Sequence, residues 1–434
     1  MKRHETPHDL SIALSRHAPR TIRALLDPAV GTGNLIVPLL SRLRKNRARV
    51  YCVDSDLDAI NRVSESQRES LPSNAKFIHT DFLTWSLQPR RPRFDCIVMN
   101  PPFAATKDRS YALECADIAN GNRKVTRHVP LEAAFVYRAI ELLEEGGRLL
   151  AVLPCSVVMS DKLQWLRDEL LSRGAIKFVH ELPPRSFPGV ESRIYLMVFK
   201  RGARQKQIAL LNHDLHEPEK LMLSLGNSGV TRLDFGYASA IRKLQLLKEY
   251  SRLQWIQLRH VADVLRGDVA SPMGPRCAVH STDYSDGFWH TSDRHDESVA
   301  RSATRTVRKG DLLMARVGRN ACQTAGRGRG ITGMACSDCV LIIRPKDPAA
   351  VLEILFALRI ILALEWSNSL LERGTGASYV SHNGLLELLI PMNACSKYTK
   401  QFYRFLRAER ARSPRQSSCA VNSVAIELAN LLTR

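Results

Sequence analysis

Residues 25–34 read Leu25-Leu26-Asp27-Pro28-Ala29-Val30-Gly31-Thr32-Gly33-Asn34. An apolar strand ends in a carboxylate, and two glycines then let the backbone turn tightly into the next segment. Such a turn brings backbone N–H groups close to a polar ligand at the carboxyl edge of a sheet. The stretch is not the dinucleotide pattern G-x-G-x-x-G, because position 36 is isoleucine, and it lacks the lysine of a P-loop. Taken alone, it fits a structural turn as well as a ligand site.

Apolar runs and amphipathic segments alternate around this turn, from residue 22 to about residue 200. The predicted strands are rich in Val, Ile and Leu and cover 23–29, 50–55, 75–80, 94–100, 148–154, 177–182 and 194–200. Helical patterns cover 34–44, 131–145 and 161–173, and the second of them ends in Glu-Glu-Gly-Gly. Strands that alternate with helices predict βαβ units. We therefore predict an α/β fold with a doubly wound, mostly parallel, Rossmann-like sheet.

Composition limits the function classes. The 434 residues are 44% hydrophobic and predict two domains. The sequence has no apolar run near the ~18 residues of a membrane span, and its first residues lack the apolar core of a secretory signal, so we expect a cytoplasmic protein without a membrane partner. Lys and Arg total 63 against 43 Asp and Glu, a net charge of +20. This excess is spread along the chain and favours a polyanionic partner, although a generally basic composition is the alternative.

Acidic residues end the next two predicted strands. Asp54 follows the second strand, where a carboxylate can accept both hydroxyls of a ribose. Asp81 follows the third, where it can accept from an adenine amino group while Phe82 stacks on the purine. A single acidic strand end is usually a helix cap or a surface charge. Three in register after a glycine-rich turn predict a pocket for an adenosine.

The fourth strand ends in Asn100-Pro101-Pro102-Phe103. Proline fixes φ, removes a donor and holds the residue before it in an extended conformation. The Asn100 side-chain oxygen and the Pro101 carbonyl can then accept from one exocyclic amine, which localises its lone pair and makes it nucleophilic towards a methyl sulfonium. Phe103 offers a stacking face for the base.

These residues together resemble the S-adenosyl-L-methionine-dependent adenine-N6 DNA methyltransferases of restriction-modification systems, in the gamma order of motifs. The resemblance covers residues 5–200 and implies a class I methyltransferase domain that uses S-adenosylmethionine. It implies the cofactor-binding residues Thr6, Asp27, Ala29, Gly31, Gly33, Asp54, Asp81 and Phe82. It implies the catalytic residues Asn100, Pro101, Pro102 and Phe103. Phe187 resembles the second aromatic residue that encloses a flipped base together with Phe103.

The second half resembles, more weakly, the target recognition domains of type I specificity subunits. The matching segments are 307–316, which reads as a turn into a strand, 374–377 and 388–391. Gly326-Arg327-Gly328-Arg329-Gly330 is predicted as a flexible basic loop that approaches phosphates or guanine edges, with a solvated loop as the alternative. Residues 104–130 carry further cations that either hold the DNA backbone or lie in solvent: Lys107, Arg109, Arg123, Lys124 and Arg127.

The predicted organisation is a methyltransferase domain at 1–205, a linker with a helix at 206–250, an α+β DNA-recognition domain at 251–393 and a basic tail at 394–434. The ten cysteines include one close pair, Cys336 and Cys339, and a zinc site would need a second pair, so we predict no metal. Only five residues precede Thr6, and we find no Asp…Glu-x-Lys set after 394, so we expect no fused nuclease.

The resemblance implies methylation of adenine N6 in double-stranded DNA by base flipping, within a restriction-modification or related defence system. A separate restriction endonuclease or specificity subunit is a possible partner. Two alternatives stay open at this point. One is methyl transfer to RNA, cytosine N4 or a protein glutamine. The other is a DNA-specificity subunit that serves a separate nuclease.

Overall fold

The computed structural model describes residues 5–43, 47–67, 69–103, 110–117, 121, 123–183, 185–187, 193–214, 217–225, 231–268, 278–290, 305–318, 320–374 and 378–433. The chain divides into two compact units, Met1–Ala238 and Ser239–Arg434. Within these described ranges, no helix is both long enough and apolar enough to cross a bilayer.

The first unit contains one large sheet, a hairpin and helices. Its strands are β1 (Ala24–Asp27), β2 (Arg49–Asp54), β3 (Lys76–His79), β4 (Phe94–Met99), β5 (Ser110–Asp117), β6 (Arg123–Pro130), β7 (Leu143–Pro154), β8 (Gly174–Glu181), β9 (Ile194–Arg201), β10 (Gln207–Leu211) and β11 (Lys220–Ser224). Its helices are α1 (His8–Ser15), α2 (Leu57–Ser66), α3 (Phe82–Ser86), α4 (Leu131–Leu142), α5 (Cys155–Met159) and α6 (Gln164–Arg173). Helix α7 (Phe235–Tyr250) crosses the boundary between the units.

The sheet has the strand order β11-β10-β8-β9-β7-β4-β1-β2-β3. Strands β7, β4, β1, β2 and β3 run parallel, whereas β9 is antiparallel to both of its neighbours and β11 is antiparallel to β10. The order reverses at β1, with β2 and β3 on one side and β4 and β7 on the other. Open α/β sheets bind ligands beyond the carboxyl ends of the strands at such a reversal. The predicted α/β fold is confirmed.

The sheet is covered on both faces because its central strands alternate between two apolar cores. Leu26 of β1 belongs to one buried cluster and Leu25 to the other. Helices α4 and α6 pack on the first cluster, and α1 and α2 on the second. Strands that are apolar on both sides are typical of parallel sheets between helical layers.

Two predicted helices differ from the structure. Residues 34–44 form only a 3₁₀ turn, Val37–Arg42, because Pro38 has no N–H with which to continue an α-helix out of the glycine turn. Helix α4 ends at Leu142 rather than 145. Leu143 pairs with Phe94, and the next recorded pair joins Cys96 to Arg148, so the Glu-Glu-Gly-Gly sequence bulges out of a strand.

The second unit is α+β, as predicted. Its strands are β12 (Trp255–Gln257), β13 (Ala262–Arg266), β14 (Tyr284–Ser285), β15 (Phe288–Trp289), β16 (Leu312–Ala315), β17 (Gly326–Arg327), β18 (Val340–Pro345), β19 (Glu372–Arg373), β20 (Tyr379–Val380) and β21 (Leu389–Pro391). Its helices are α8 (Leu258–Val261), α9 (Val351–Leu362), α10 (Asn368–Leu371), α11 (His382–Glu387), α12 (Ala394–Lys397), α13 (Thr399–Ala411) and α14 (Pro414–Asn430). Antiparallel strands in the order β13-β18-β16-β17 form its main sheet.

The structure differs from two predicted boundaries. Strands β10 and β11 extend the first sheet past residue 205, so this segment is not a linker. Residues 394–434 are not a tail, because Phe405 and Val424 are fully buried and α14 packs on α13 and α9. The arginines of α13 lie on one face of this helix, and the opposite face, with Phe405, packs into the core.

A largely buried arginine, with 14% of its side chain exposed, joins α9 to α13 and α14. The Arg359 guanidinium donates to Glu409 Oε1 at 2.8 Å and to Ser417 Oγ at 2.9 Å. It also donates to the carbonyls of Ala325 at 3.0 Å and Gly287 at 2.9 Å. The Glu409 side chain is 1% exposed, so its charge depends on this partner.

We expect Arg359→Met to destabilise the second unit by about 3–5 kcal/mol, since it leaves a buried carboxylate without its partner. Arg259→Met is the matched control, because Arg259 pairs with Glu387 at the surface, where the two side chains are 44% and 62% exposed. This control should change the free energy of unfolding by less than about 1 kcal/mol. Urea unfolding followed by circular dichroism measures both, and equal effects would contradict the role assigned to Arg359.

Candidate functional site

A cavity of about 360 Å³ opens beyond the carboxyl ends of β1, β2, β3 and β4, at the reversal of strand order. This is within the ~300–1,000 Å³ typical of small-molecule sites. The lining residues are Glu5, Thr6, Pro28, Ala29, Val30, Gly31, Thr32, Asn34, Leu35, Asp54, Ser55, Arg62, Asp81, Phe82, Asn100, Pro101, Pro102, Phe103, Leu131 and Phe135.

The glycine turn is fixed to the end of β2. Gly31 and Gly33 have φ of 53° and 80°, a left-handed conformation that favours glycine. The Gly31 N–H donates to Asp54 Oδ2 at 2.9 Å, and the Asp56 N–H donates to Asp54 Oδ1 at the same distance. These bonds hold the Asp54 carboxylate at the edge of the cavity. Gly33 does not line the cavity, and a Cβ there would lie 3.4 Å from the Val63 methyls, so it serves the packing of the turn on α2.

Asp27 lies beneath the turn rather than in the cavity wall. Its side chain is buried, and its Oδ1 accepts from the Ala29 N–H at 3.1 Å. Burial raises the pKa of Asp27 to about 8, and the nearby charge of Asp54 adds to this rise, while the bond from Ala29 opposes it. Asp27 therefore shapes the backbone that meets a ligand, and Ala29 and Gly31 line the cavity itself.

Asp81 and Phe82 begin helix α3 at the cavity wall. Asp81 caps the helix by accepting from the Thr84 N–H at 2.8 Å and from the Thr84 hydroxyl at 2.9 Å. The Phe82 ring lies 4.9 Å from that of Phe135 in α4, and both rings line the cavity. This wall offers a carboxylate next to aromatic faces.

Thr6 joins the two loops that border the cavity. The Asn34 side-chain amide donates to the Thr6 carbonyl at 2.9 Å, which connects Thr6 to the glycine turn. The Asn100 Nδ2 donates to the Thr6 hydroxyl at 3.0 Å, which connects it to the Asn-Pro-Pro-Phe motif. This hydrogen bond uses the amide nitrogen of Asn100, so it fixes the orientation of the amide and the position of its oxygen, which is a hydrogen-bond acceptor. Phe103 lines the cavity while packing partly against the core.

Phe187 does not reach this site. Its side chain is 1% exposed and belongs to the core cluster that includes Phe178, Leu182 and Ile194. The prediction that it stacks on a base is therefore wrong for this structure, since both of its faces are enclosed. An aromatic residue after a turn looks the same in sequence whether it points into a core or a cavity.

Several lining residues escaped sequence reasoning, among them Glu5, Arg62, Leu131 and Phe135. Leu131 and Phe135 are four residues apart on α4 and so share one helical face, which is a usable signal in retrospect. Glu5 is next to Thr6, and Arg62 lies on α2 after Asp54. Their position shows only once the sheet brings these elements together.

The charged residues of the lining are mostly acidic. Glu5, Asp54 and Asp81 contribute carboxylates, and Arg62 contributes a cation. Opposite charges attract strongly where water is partly excluded. A cavity with carboxylates, aromatic rings and backbone N–H groups suits a cationic ligand that has hydroxyls and an aromatic ring.

The predicted basic segments have more structure than expected. Arg123, Lys124 and Arg127 lie on β6, which forms a hairpin with β5, while Lys107 and Arg109 lie outside the described residues. Gly326 and Arg327 pair with β16 as a strand, so the predicted flexible loop is wrong there. Residues 307–316 do form a turn into β16. Residues 375–377 lie outside the described residues.

Cys336 is buried in the second unit, and burial raises the pKa of its thiol to about 12. Cys339 is half-buried and close to Asp338. Among the residues that the structure describes, no three His, Cys, Asp or Glu side chains form a group that could hold a metal ion.

Residues 4–223 match the N-6 DNA methylase family. The chain is 24% identical over 177 residues to the type II methyltransferase M.BsuBI of Bacillus subtilis, covering 36% of this chain and 33% of that protein. It is 29% identical over 142 residues to the type II methyltransferase M.TthHB8I of Thermus thermophilus, covering 31% and 32%. It thus spans about a third of the length of these relatives. The solved structure of the type IIG restriction endonuclease BpuSI covers 98% of this chain and 66% of its own, with 14% identity and a TM-score of 0.48.

We expect Asp27→Asn to reduce the pH dependence of stability. The folded pKa is about 8 against an ordinary value of 3.8, so the folded state keeps a proton that the unfolded state has lost, and stability falls as pH rises from about 4 to about 8. Asparagine is neutral and still accepts from Ala29, so the variant should lose less stability between pH 5 and pH 8. Melting temperatures at several pH values test this, with exposed Asp58→Asn as control. An unchanged pH profile in Asp27→Asn would contradict the assignment.

Proposed function

The chain belongs to the N-6 DNA methylase family, and on that premise we propose that it transfers a methyl group from S-adenosylmethionine to the N6 amino group of adenine in duplex DNA. One observation carries the proposal. The Asn100–Phe103 motif and the acidic, aromatic cavity border each other at one edge of the sheet. Direct transfer requires the methyl donor and the acceptor amine to lie next to each other.

The cavity residues fit the chemistry of the cofactor. S-adenosylmethionine, when bound, supplies a positively charged methyl sulfonium. Asp54 would accept from the ribose hydroxyls, and Asp81 with Phe82 would hold the adenine through its amino group and its ring face. Glu5 and Thr6 lie where the glycine turn meets the catalytic motif, and we assign them to the amino-acid end of the cofactor. The acidic lining favours a cation.

The catalytic motif would activate the acceptor amine by position and hydrogen bonding. The Asn100 amide oxygen and the Pro101 carbonyl would accept both N–H groups of N6, which concentrates its lone pair on nitrogen. The carbon–sulfur bond breaks as the carbon–nitrogen bond forms. Asparagine is a poor proton acceptor, so the proton that N6 then loses goes to solvent.

A stacked adenine is out of reach of this motif, so the base must leave the duplex first. Phe103 is the ring at the cavity that would stack on the flipped base. Base–aromatic stacking contributes about 1–3 kcal/mol per base, which offsets part of the cost of unstacking. With Phe187 in the core, Phe103 is the stacking residue that we retain.

We also assign the second unit to DNA recognition and place the protein in a restriction-modification or related defence system, with a separate endonuclease as a possible partner. The net charge of +20 supports a DNA-binding role.

The test is transfer of labelled methyl to unmethylated duplex DNA, with RNA and protein as parallel acceptors. We expect label in N6-methyladenine from DNA. Asn100→Ala should keep its affinity for S-adenosylmethionine and lose turnover by about 10²-fold or more, because it removes an acceptor in the transition state. Label only in RNA or protein, or full activity in Asn100→Ala, would refute the proposal.

The hydrogen bond from Asn100 to Thr6 predicts a positioning role for the Thr6 hydroxyl. Thr6→Val keeps the shape and the backbone carbonyl that binds Asn34, so it should lower kcat about 5- to 10-fold, the value of one hydrogen bond, with little effect on KM for the cofactor. Thr6→Ser should restore kcat because it restores the hydroxyl. A rise in KM without a fall in kcat would make Thr6 a cofactor contact alone.

A further inference from the structure

The exposed face of α13 carries a row of cations. Lys400, Arg404, Arg407 and Arg410, here called the basic stripe, are all exposed, and Tyr403 among them is 59% exposed. At 3.6 residues per turn, these side chains fall within an arc of about 120° on one face. At 1.5 Å per residue, the stripe is about 15 Å long.

The opposite face of α13 fixes the orientation of the stripe. Phe402 and Phe405 pack against Phe356 of α9, each with ring centroids 5.1 Å apart. Glu409, the acidic residue of this helix, is turned inward and paired with Arg359. The stripe is therefore held on a packed helix, and α13 itself contributes no carboxylate to it.

Positive charge continues beyond the end of this helix. Arg412 ends α13 with φ of 58°, a left-handed conformation that is uncommon for arginine. Burial lowers the pKa of Arg329, and the nearby charges of Arg412 and Arg327 lower it further, whereas the charge of Glu409 opposes this fall. The Arg329 guanidinium also lies 3.1 Å from the centroid of the Phe288 ring.

Like charges held together repel one another, and a polyanion relieves that repulsion. Duplex DNA carries one phosphate per ~3.4 Å of helix axis on each strand, so a stripe about 15 Å long is long enough to face more than one phosphate. A basic amphipathic helix is also typical of membrane surfaces. Here Phe402 and Phe405 pack against Phe356 of α9, so the apolar face of α13 is used within the protein and does not face a bilayer.

We propose that the basic stripe binds the phosphodiester backbone of duplex DNA without reading its sequence. The inference rests on the proposed function and adds to it a defined contact surface on the second unit. Phosphate contacts position a protein on DNA, whereas base contacts select the sequence. The stripe therefore contributes affinity and not site choice.

The experiment compares Arg404→Gln/Arg407→Gln with wild type. Affinity for a labelled duplex is measured by fluorescence anisotropy over a range of salt concentrations. The slope of log K against log salt is negative, and each lost phosphate contact reduces its magnitude by about 0.9. The double variant should therefore reduce the magnitude of the slope by about 1.8. Affinities for a methylatable duplex and for one of unrelated sequence should fall by the same factor. Both side chains are exposed, so the melting temperature should not change.

The matched control is Arg259→Gln/Lys346→Gln, which removes two exposed cations from the same unit, and its salt slope should equal that of wild type. An unchanged slope in the stripe variant, or a change in the ratio of the two affinities, would overturn the inference. Vesicles that contain phosphatidylglycerol form a third arm. Loss of vesicle binding with an unchanged DNA slope would assign the stripe to a membrane instead. Methyl transfer to DNA by wild type is measured in parallel, so that failure of the stripe is distinguishable from failure of the proposed function.

Discussion

The bond from the Gly31 N–H to the Asp54 carboxylate is the constraint on which the site depends. It ties the turn after β1 to the end of β2, on the side of the sheet reversal away from β4. The turn can make this bond because glycine accepts the left-handed conformation at position 31. Asp27 supports the same turn by accepting a hydrogen bond from the Ala29 N–H, and the burial of its carboxyl group raises its pKa. The cavity, its acidic edge and the approach to Asn100 follow from this arrangement.

Much of this was predictable because parallel strands bring their carboxyl ends to one edge. The residues after β1, β2, β3 and β4 could be placed together from sequence once those strands were recognised. Phe187 could not be placed, since its enclosure depends on Phe178 and Leu182 from a neighbouring segment. The lining by Phe135 depends likewise on how α4 crosses the sheet. Contacts that arise from packing angles leave no local pattern in the sequence.

The boundaries of the units show the same limit. β10 and β11 lie in a segment whose polar residues hide their apolar pattern, yet they complete the edge of the first sheet. In α13 the arginines are conspicuous in sequence, whereas the aromatic residues between them carry the packing. Arg359 then anchors the helix by a buried ion pair that no spacing rule predicts. The exposed cations of α13 thus face solvent, whereas the ion pair between Arg359 and Glu409 holds this helix in place.

The contacts of Thr6 have a consequence for the orientation of the Asn100 amide. Two hydrogen bonds hold this residue in the cavity wall, one from the Asn34 side chain and one from the Asn100 side chain. At about 1 kcal/mol each, they are weak enough to break often on the scale of a catalytic cycle. Any displacement of Thr6 would take from Asn100 the partner that orients its amide. The orientation of the Asn100 amide is therefore tied to the position of a residue in the cavity wall.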